Sequence, residues 1–476
     1  MGKENLIGRE EECQRLSKCV AENTAQLIVI YGRRRIGKTF LIEEFFDGEF
    51  AFRLTGEFNA NRAGQLRNFA NEMSVQTGKK PDSPKDWKEA FFSLRAYLSS
   101  LGTEKKSVVF FDELPWMDTP NSHFLSEFEY FWNSWGSRQK NLIFIVCGSA
   151  TSWLIDNIEN NKGGLFNRLT CRIFLEPFSL GQTEKYLISR NITWPRRDIC
   201  ECYMIMGGIP YYLSLLSPSL SYTENIDHIF FHKRSELWDE FQHLYHTLFS
   251  NSDAYIKIVE ALGNKRIGHS RKEISDATGF PQNGTLTKML KALENSGFVH
   301  INNFYGKKKK DTLYQLSDYY TLFYLRFLKD RSVRDERYWS NSINLPSHNT
   351  WAGLSFELLC MDHIHQIKKR LEIGGVLSEQ STWFISGDKE NKGAQIDLLI
   401  DRQDRVINIC EIKFSNDIFT IDKAYDAELR HKISAFRNAT NTKSNLMLTM
   451  ITTYGVSRNT YSGTVQREVV MDDLFC

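Results

Sequence analysis

The sequence predicts a multidomain α/β fold: a parallel-sheet core first, a helical module with a small hairpin in the middle, and a second α/β core at the end. Three observations predict it. Leu27-Ile-Val-Ile-Tyr31 is a short apolar, β-branched run that reads as a buried parallel strand, and it leads through a glycine loop into an apolar-faced helix over Phe40–Phe46. Two more buried strands come later, Ser107–Phe111 and Leu142–Ser149, each ending in small or acidic residues. Near the C-terminus, Ile396–Ile400 and Val406–Lys413 read as a strand pair around the turn Asp401-Arg-Gln-Asp-Arg405.

A chain of 476 residues should hold about two to four domains. Its 41% hydrophobic and 25% charged content is that of a globular protein, and ten prolines suggest compact domains with short linkers. No apolar run approaches the ~20 residues of a membrane helix, so no membrane partner is expected. The first residues are polar and carry no secretory stretch. Nine cysteines are scattered without a C-x-x-C pair, which argues for reduced thiols in the cytoplasm and against a disulfide framework or structural zinc.

The glycine loop is Gly32-Arg33-Arg34-Arg35-Ile36-Gly37-Lys38-Thr39, with Phe40 next at the helix start. Strand, loop and helix together make a phosphate-binding site. The glycines let the backbone wrap an anion, and the helix N-terminus offers N–H groups to it. Lys38 is expected on the terminal phosphates and Thr39 on a magnesium ion, which implies ATP with Mg2+. Arg33, Arg34 and Arg35 face phosphates, a nucleic acid or solvent; the loop itself does not choose.

Asp112-Glu113 closes the Ser107–Phe111 strand. An acid at that end can hold the magnesium through water, and a glutamate directly after it can act as general base on the attacking water. Strand, loop and acidic strand end together resemble a division of the loop NTPases, and that resemblance implies that the Leu142–Ser149 strand lies between the other two, with Ser149 near the γ-phosphate or the water.

With these residues in view, Ile7-Gly8-Arg9-Glu10 through Leu16 resembles the Gly-Arg-Glu motif of the archaeal-type ATPase family, a branch of AAA+ proteins related to the signalling STAND ATPases. The likeness continues through the phosphate loop, Asp112-Glu113, Leu165-Phe-Asn-Arg168 before Leu175-Glu-Pro-Phe178, and Met206-Gly-Gly-Ile-Pro210. It implies a Rossmann-like parallel sheet followed by a small helical lid over the nucleotide. It also offers Arg168 as the arginine that stabilises the γ-phosphate, in cis or from a neighbouring subunit of a homo-oligomer. The alternative is a structural arginine paired with an acid.

From Asp253 to Leu316 the pattern becomes short helices and a hairpin. Ala254–Leu262, Arg271–Thr278 and Thr285–Glu294 read as three helices, and Phe298–Ile301 and Thr312–Leu316 as strands around Gly306-Lys-Lys-Lys-Lys310. This resembles a winged helix-turn-helix. Residues 252–330 hold thirteen Lys and Arg against eight Asp and Glu, which suits contact with a DNA backbone. Internal packing is the competing reading.

On the last strand pair, Glu411 and Lys413 share a face because side chains at i and i+2 point the same way. With Asp397 on the neighbouring strand they would form a compact Mg2+ or Mn2+ site beside a lysine, the logic of metal-assisted phosphodiester cleavage. The D…E-x-K pattern resembles the PD-(D/E)XK nuclease superfamily and a C-terminal domain often fused to archaeal-type ATPases. That likeness makes Trp351-Ala-Gly-Leu-Ser-Phe-Glu357 the helix opening the core and Glu357 a third acid. Gln395 departs from the acid that many relatives carry there. Lys432 or Arg430, on a strongly charged helix, could reach a phosphate, but a solvated face is the reading that helix favours, and Tyr319–Tyr324 read as packing between domains.

The expected blocks are residues 1–180, a P-loop ATPase core; 181–250, a helical lid; 251–330, the winged helix; and 331–476, a restriction-endonuclease-like core. The expected function is ATP binding and hydrolysis coupled to a metal-dependent nuclease-like domain acting on nucleic acid. The alternatives are a STAND-like switch, or a DNA-binding regulator with a non-catalytic C-terminal domain.

Overall fold

The structure is a computed structural model, and it describes residues 6–79, 82–160, 164–165, 167–249, 251–265, 268–306, 312–330, 335–343, 345–387 and 392–476. The chain divides into two compact units. One runs to Pro177, and the other takes most of Phe178–Cys476, with Thr247–Ser250 and Lys291–Gly297 grouped with the first.

The first unit is built on strands β1 (Gln26–Tyr31), β2 (Phe52–Thr55), β3 (Ser107–Asp112), β4 (Leu142–Gly148) and β5 (Cys171–Phe174). Their order is β2-β3-β4-β1-β5, and every neighbouring pair is parallel. The strands read as unbroken apolar runs because both faces are covered. Leu27, Val29, Val109, Phe111, Phe144 and Val146 face one side, packing with Phe69, Trp87, Phe91 and Phe128 of the helices Arg62–Thr77, Trp87–Ser100 and Phe124–Ser134. Ile28, Ile30, Val108, Phe110, Ile143 and Ile145 face the other, against Leu16, Leu41 and Ile42. The order puts β4 between β1 and β3, as expected, so the C-terminal ends of these three strands lie side by side.

The second unit begins with helices, from Leu180–Ser189 to Glu240–Leu248, so the stretch expected as a lid groups with the later part of the chain. Next come the helix Ser252–Gly263, β6 (His269–Ser270), helices Arg271–Thr278 and Gly284–Asn295, then β7 (Val299–Asn302) and β8 (Leu313–Leu316), which form an antiparallel sheet of order β6-β8-β7. Ser270 and Glu273 start the second helix as a reciprocal capping box, and Gly279 ends it at φ +75°. The lysine run Lys307–Lys310 lies outside the described residues. Tyr319, Tyr320 and Phe323 are buried in the helix Tyr319–Phe327, which fits their reading as packing residues.

A mixed sheet closes the chain. After the helix Pro346–Asp362 come β9 (Ser378–Ile385), β10 (Ala394–Arg402) and β11 (Val406–Lys413), then the helix Lys423–Thr440, β12 (Asn445–Thr452) and β13 (Arg467–Val470). The order is β13-β12-β11-β10-β9, antiparallel from β9 to β11 and parallel from β11 to β13. The pairing of β9 with β10 shifts between Ile396 and Leu399, an irregularity that spans Asp397-Leu398. Such a bulge re-aims side chains where it occurs. All nine cysteines are free thiols, and no helix among the described residues is long and apolar enough to cross a membrane.

Candidate functional site

In the first unit the expected residues converge. The loop after β1 is shaped by left-handed backbone at Arg35 and Gly37, and by Gly32 at φ +152°. A methyl on Gly32 would meet the Leu175 carbonyl oxygen at 2.4 Å, so glycine is required there for close approach. Gly37 begins the helix Lys38–Phe45 without any side-chain cap and with no acid in the first turn, so its N–H groups face an anion site. Lys38 Nζ donates to the carbonyls of Gly32 and Arg33 at 3.1 and 2.9 Å, curled into the loop it would leave for phosphates. Arg33 and Ile36 are buried, Arg34 and Arg35 half-buried, and Phe40 exposed.

Thr39 Oγ1 donates to Asp112 Oδ2 at 2.8 Å, joining the β1 loop to the end of β3. A hydroxyl beside a carboxylate, both hard oxygen donors, suits magnesium, and these residues fit that ion. Ser149, just past β4, donates to Glu113 Oε2 from both its backbone N–H and its hydroxyl, each at 3.1 Å. Glu113 holds left-handed backbone at φ +47°, a strained state for a non-glycine residue that is typical of functional sites. Burial pushes its carboxyl above the usual carboxylate range, against Lys38 and the Ser149 donors, which pull it down.

Two further residues shape this site, and their roles were not read from the sequence. Arg9, buried behind the loop, donates to the carbonyls of Ile36 at 3.2 Å and Glu176 at 2.9 Å, so it braces the phosphate loop from outside. Its place in Gly8-Arg9-Glu10 was the available signal. Gly56, after β2, had none. A methyl there would sit 2.4 Å from the Glu113 carbonyl oxygen. Gly56→Ala should therefore lower ATP turnover about tenfold or more by displacing Glu113, with nucleotide affinity little changed. Equal turnover in wild type and variant would show that Glu113 tolerates the shift.

No contact among the described residues brings Arg168 to the loop. It is solvent-exposed, and its backbone N–H donates to the Leu165 carbonyl.

In the second unit, β10 and β11 bring Asp397 and Glu411 to adjacent strands, one step beyond the Leu398–Cys410 pair. Lys413 lies 3.2 Å from Glu411 Oε1, on the expected shared face. Burial raises the Asp397 carboxyl to about 7, helped by the negative charges of Glu357 and Glu411 and opposed by Lys432 and Lys413. Burial works against Glu411 as well, but Lys432 and Lys413 overcome it and hold that carboxyl below the usual range.

The expected solvated reading of Lys432 is corrected. Its side chain is 13% exposed, and its ammonium donates to Glu411 Oε2 at 2.7 Å, while the Tyr425 hydroxyl donates to Glu411 Oε1 at 2.7 Å. Tyr425, Leu429, Lys432 and Phe436 follow one helical stripe, and Leu429 and Phe436 are buried, so the period could have found the lysine. Arg430, by contrast, is exposed and paired with Asp426, as a solvated face should be.

These contacts bear on the expected metal ligands Asp397, Glu411 and Glu357. Both Glu411 oxygens are engaged by lysine and tyrosine, and among the described residues no three His, Cys, Asp or Glu side chains gather closely enough to hold an ion. As placed, the acids do not fit a metal. Two lysines supply the positive charge that an ion would bring.

A family model described as an ATPase domain predominantly from Archaea matches residues 6–216. An uncharacterized protein of Methanocaldococcus jannaschii is 25% identical over 418 residues, covering 86% of this chain and 88% of that relative. An uncharacterized ATP-binding protein of the same organism is 46% identical over 44 residues, which are 9% of this chain and 75% of the relative. Among solved structures, the Walker-type ATPase of Pyrococcus abyssi aligns with a TM-score of 0.46 at 18% identity, over 68% of this chain and 97% of its own. The Aeropyrum pernix ORC2 protein aligns with a TM-score of 0.42 at 15% identity, over 75% and 95%.

Proposed function

We infer, from a chain whose residues 6–216 belong to the family of ATPase domains found predominantly in Archaea, that the protein hydrolyses ATP and couples the nucleotide state to a second unit acting on nucleic acid. One observation carries the first half. Lys38, Thr39, Asp112, Glu113 and Ser149 meet at the ends of three adjacent parallel strands, with Thr39 bonded to Asp112 and Ser149 to Glu113.

The chemistry rests on those positions. Lys38 leaves its two carbonyl partners for the terminal phosphates, and the uncapped helix start binds their oxygens. Thr39 and Asp112 would hold the magnesium, which when bound neutralises charge on the β- and γ-phosphates. Glu113 takes a proton from water as the water oxygen bonds to the γ-phosphorus. The bond from that phosphorus to the bridging oxygen breaks, and ADP leaves with the electron pair. Ser149 fixes the Glu113 carboxylate for this step. The test is ATP turnover by the full chain with magnesium; Lys38→Ala should abolish both binding and turnover. Turnover that survives the substitution would place the activity in a contaminant and sink the reading.

For the second unit, the succession helix, β9, β10, β11, helix, β12, with Asp397, Glu411 and Lys413 together, supports a nuclease-like core of the PD-(D/E)XK kind. The order of helices and β6, β7, β8 supports a winged helix. Cleavage of DNA or RNA with Mg2+ or Mn2+, present with ATP and lost in Lys413→Ala, would select this reading. The capture of Glu411 by Lys432 and Tyr425 favours the second reading, a nucleotide switch or DNA-binding regulator whose C-terminal domain does not cut. No cleavage on any substrate, with ATP turnover intact, selects it.

A further inference from the structure

In the first unit the helix Glu10–Ala21 packs against β5, the edge strand of the parallel sheet. Leu16 and Cys19, three positions apart, are the buried residues of that helix. Cys171 and Ile173, two apart on β5, share a strand face, and both join Leu16 and Cys19 in one apolar cluster. Arg15 donates to the carbonyl of Arg172, which fixes the helix to the strand at this level. The two thiols therefore face each other, and the Cys19 S–H donates to the Cys171 sulfur. We propose that Cys19 and Cys171 form a reversible disulfide, with Cys171 as the attacking thiol and a small-molecule disulfide such as glutathione disulfide as the oxidant.

Exposure separates the two roles. Cys171 is half-buried at the start of an edge strand, where a small oxidant can reach it. Cys19 is 7% exposed, so its sulfur reaches only its neighbour. Charge agrees with this division. The hydrogen bond from Cys19 draws the Cys171 thiol down to about 7 against the effect of burial, and the Arg15 guanidinium adds to the pull. The same hydrogen bond, with burial, pushes Cys19 up, so Cys19 keeps its proton while Cys171 is a thiolate. Cys147, Cys200, Cys202, Cys360 and Cys410 are buried thiols that burial pushes up, and none of them offers an attacking thiolate.

The exchange runs in two steps. The Cys171 thiolate attacks one sulfur of glutathione disulfide, a mixed disulfide forms, and one glutathione leaves with the electron pair and takes a proton. Cys19 then loses its proton, its sulfur bonds to that of Cys171, and the second glutathione leaves as a thiol. Two protein thiols are oxidised, and one glutathione disulfide is reduced to two glutathiones. The bond staples the frame of the phosphate loop from behind. Arg9 stands at the start of the same helix and holds the Ile36 and Glu176 carbonyls, and Leu175, just after β5, lies against Gly32. Closing so long a loop restricts the unfolded chain, so oxidation should raise the melting temperature of the first unit by at least about 5 °C.

The test equilibrates the full chain with glutathione disulfide, blocks free thiols, and maps peptides by mass without reductant. A Cys19–Cys171 peptide should appear and be lost again on reduction. Cys19→Ala should stop at glutathione-capped Cys171, whereas Cys171→Ser should leave Cys19 uncapped. Iodoacetamide should label Cys171 in the reduced wild type with a midpoint near pH 7, and that midpoint should move up in Cys19→Ala, where the donor is gone. Mapping of the wild-type chain needs no substitution, so a variant that fails to fold leaves the test intact. Free thiols at both positions, separate glutathione caps, or a bond from either to Cys13 overturns the proposal. Oxidation without a rise in melting temperature also overturns it, because such a bond would strain the frame it should hold.

Discussion

Glu113→Gln is expected to cut ATP turnover by about two to four orders of magnitude while nucleotide binding persists, the range that a positioned general base supplies. Glutamine keeps the size of the side chain and an oxygen for the two Ser149 donors, so the loop and its left-handed backbone need not move. What is lost is the capacity to take a proton from water. A pH dependence accompanies this. Burial raises the Glu113 carboxyl, and the base works deprotonated, so turnover should fall on acidification at a pH above the usual carboxylate range. Steady-state turnover across pH, with nucleotide affinity measured alongside, checks both statements. A variant hydrolysing ATP at a rate close to wild type would remove Glu113 from the chemistry.

The second large effect concerns stability. Asp397→Asn should stabilise the second unit at pH 8 by a few kcal/mol in the presence of a chelator. The carboxyl, 8% exposed, titrates at about 7 against an ordinary 3.8, because it is buried beside Glu357 and Glu411. A raised carboxyl means that the folded chain keeps its proton where the unfolded chain has lost it. This group's contribution to stability is therefore most favourable below pH 3.8, declines as pH rises towards 7, and carries the full penalty above. Asparagine bears no charge at any of these values, so the gain should be large at pH 8 and shrink towards pH 4. Thermal melting at the two pH values reads this directly. Equal destabilisation at both would mean that Asn fails to fit the site and that repulsion is not what strains it. If the gain appears, this acid is a place where the fold gives up stability for a charged site, as functional residues commonly require.

Much of the first unit was legible in the chain because its signals are local. A run such as Leu27–Tyr31 is apolar at every position only when both faces of its strand are covered, and Gly32, Gly37, Lys38 and Thr39 carry their spacing within a single turn. Asp112 and Glu113 were readable as the acidic end of an apolar strand. Glu411 and Lys413 were placed together by period alone, since a strand returns to one face every second residue.

What only the tertiary structure decided involves residues distant in sequence. Gly56 matters because the chain after β2 passes against Glu113, and no neighbour of Gly56 in sequence announces that approach. Arg9 reads as one charged residue in an acidic helix start until its guanidinium is seen on the Ile36 carbonyl. Lys432 was misread because the helix Lys423–Thr440 is charged on several sides, and only packing against β11 determines which charges are buried. Sequence by itself thus determined the strand, loop and helix that make a phosphate site, the acids that accompany it, and the strand pair bearing Asp397, Glu411 and Lys413. The tertiary structure decided which partners those acids keep, and with that their charge. The physical reason is that local backbone geometry and periodicity are written over a few consecutive residues, whereas burial and electrostatic pairing depend on groups brought together from far along the chain.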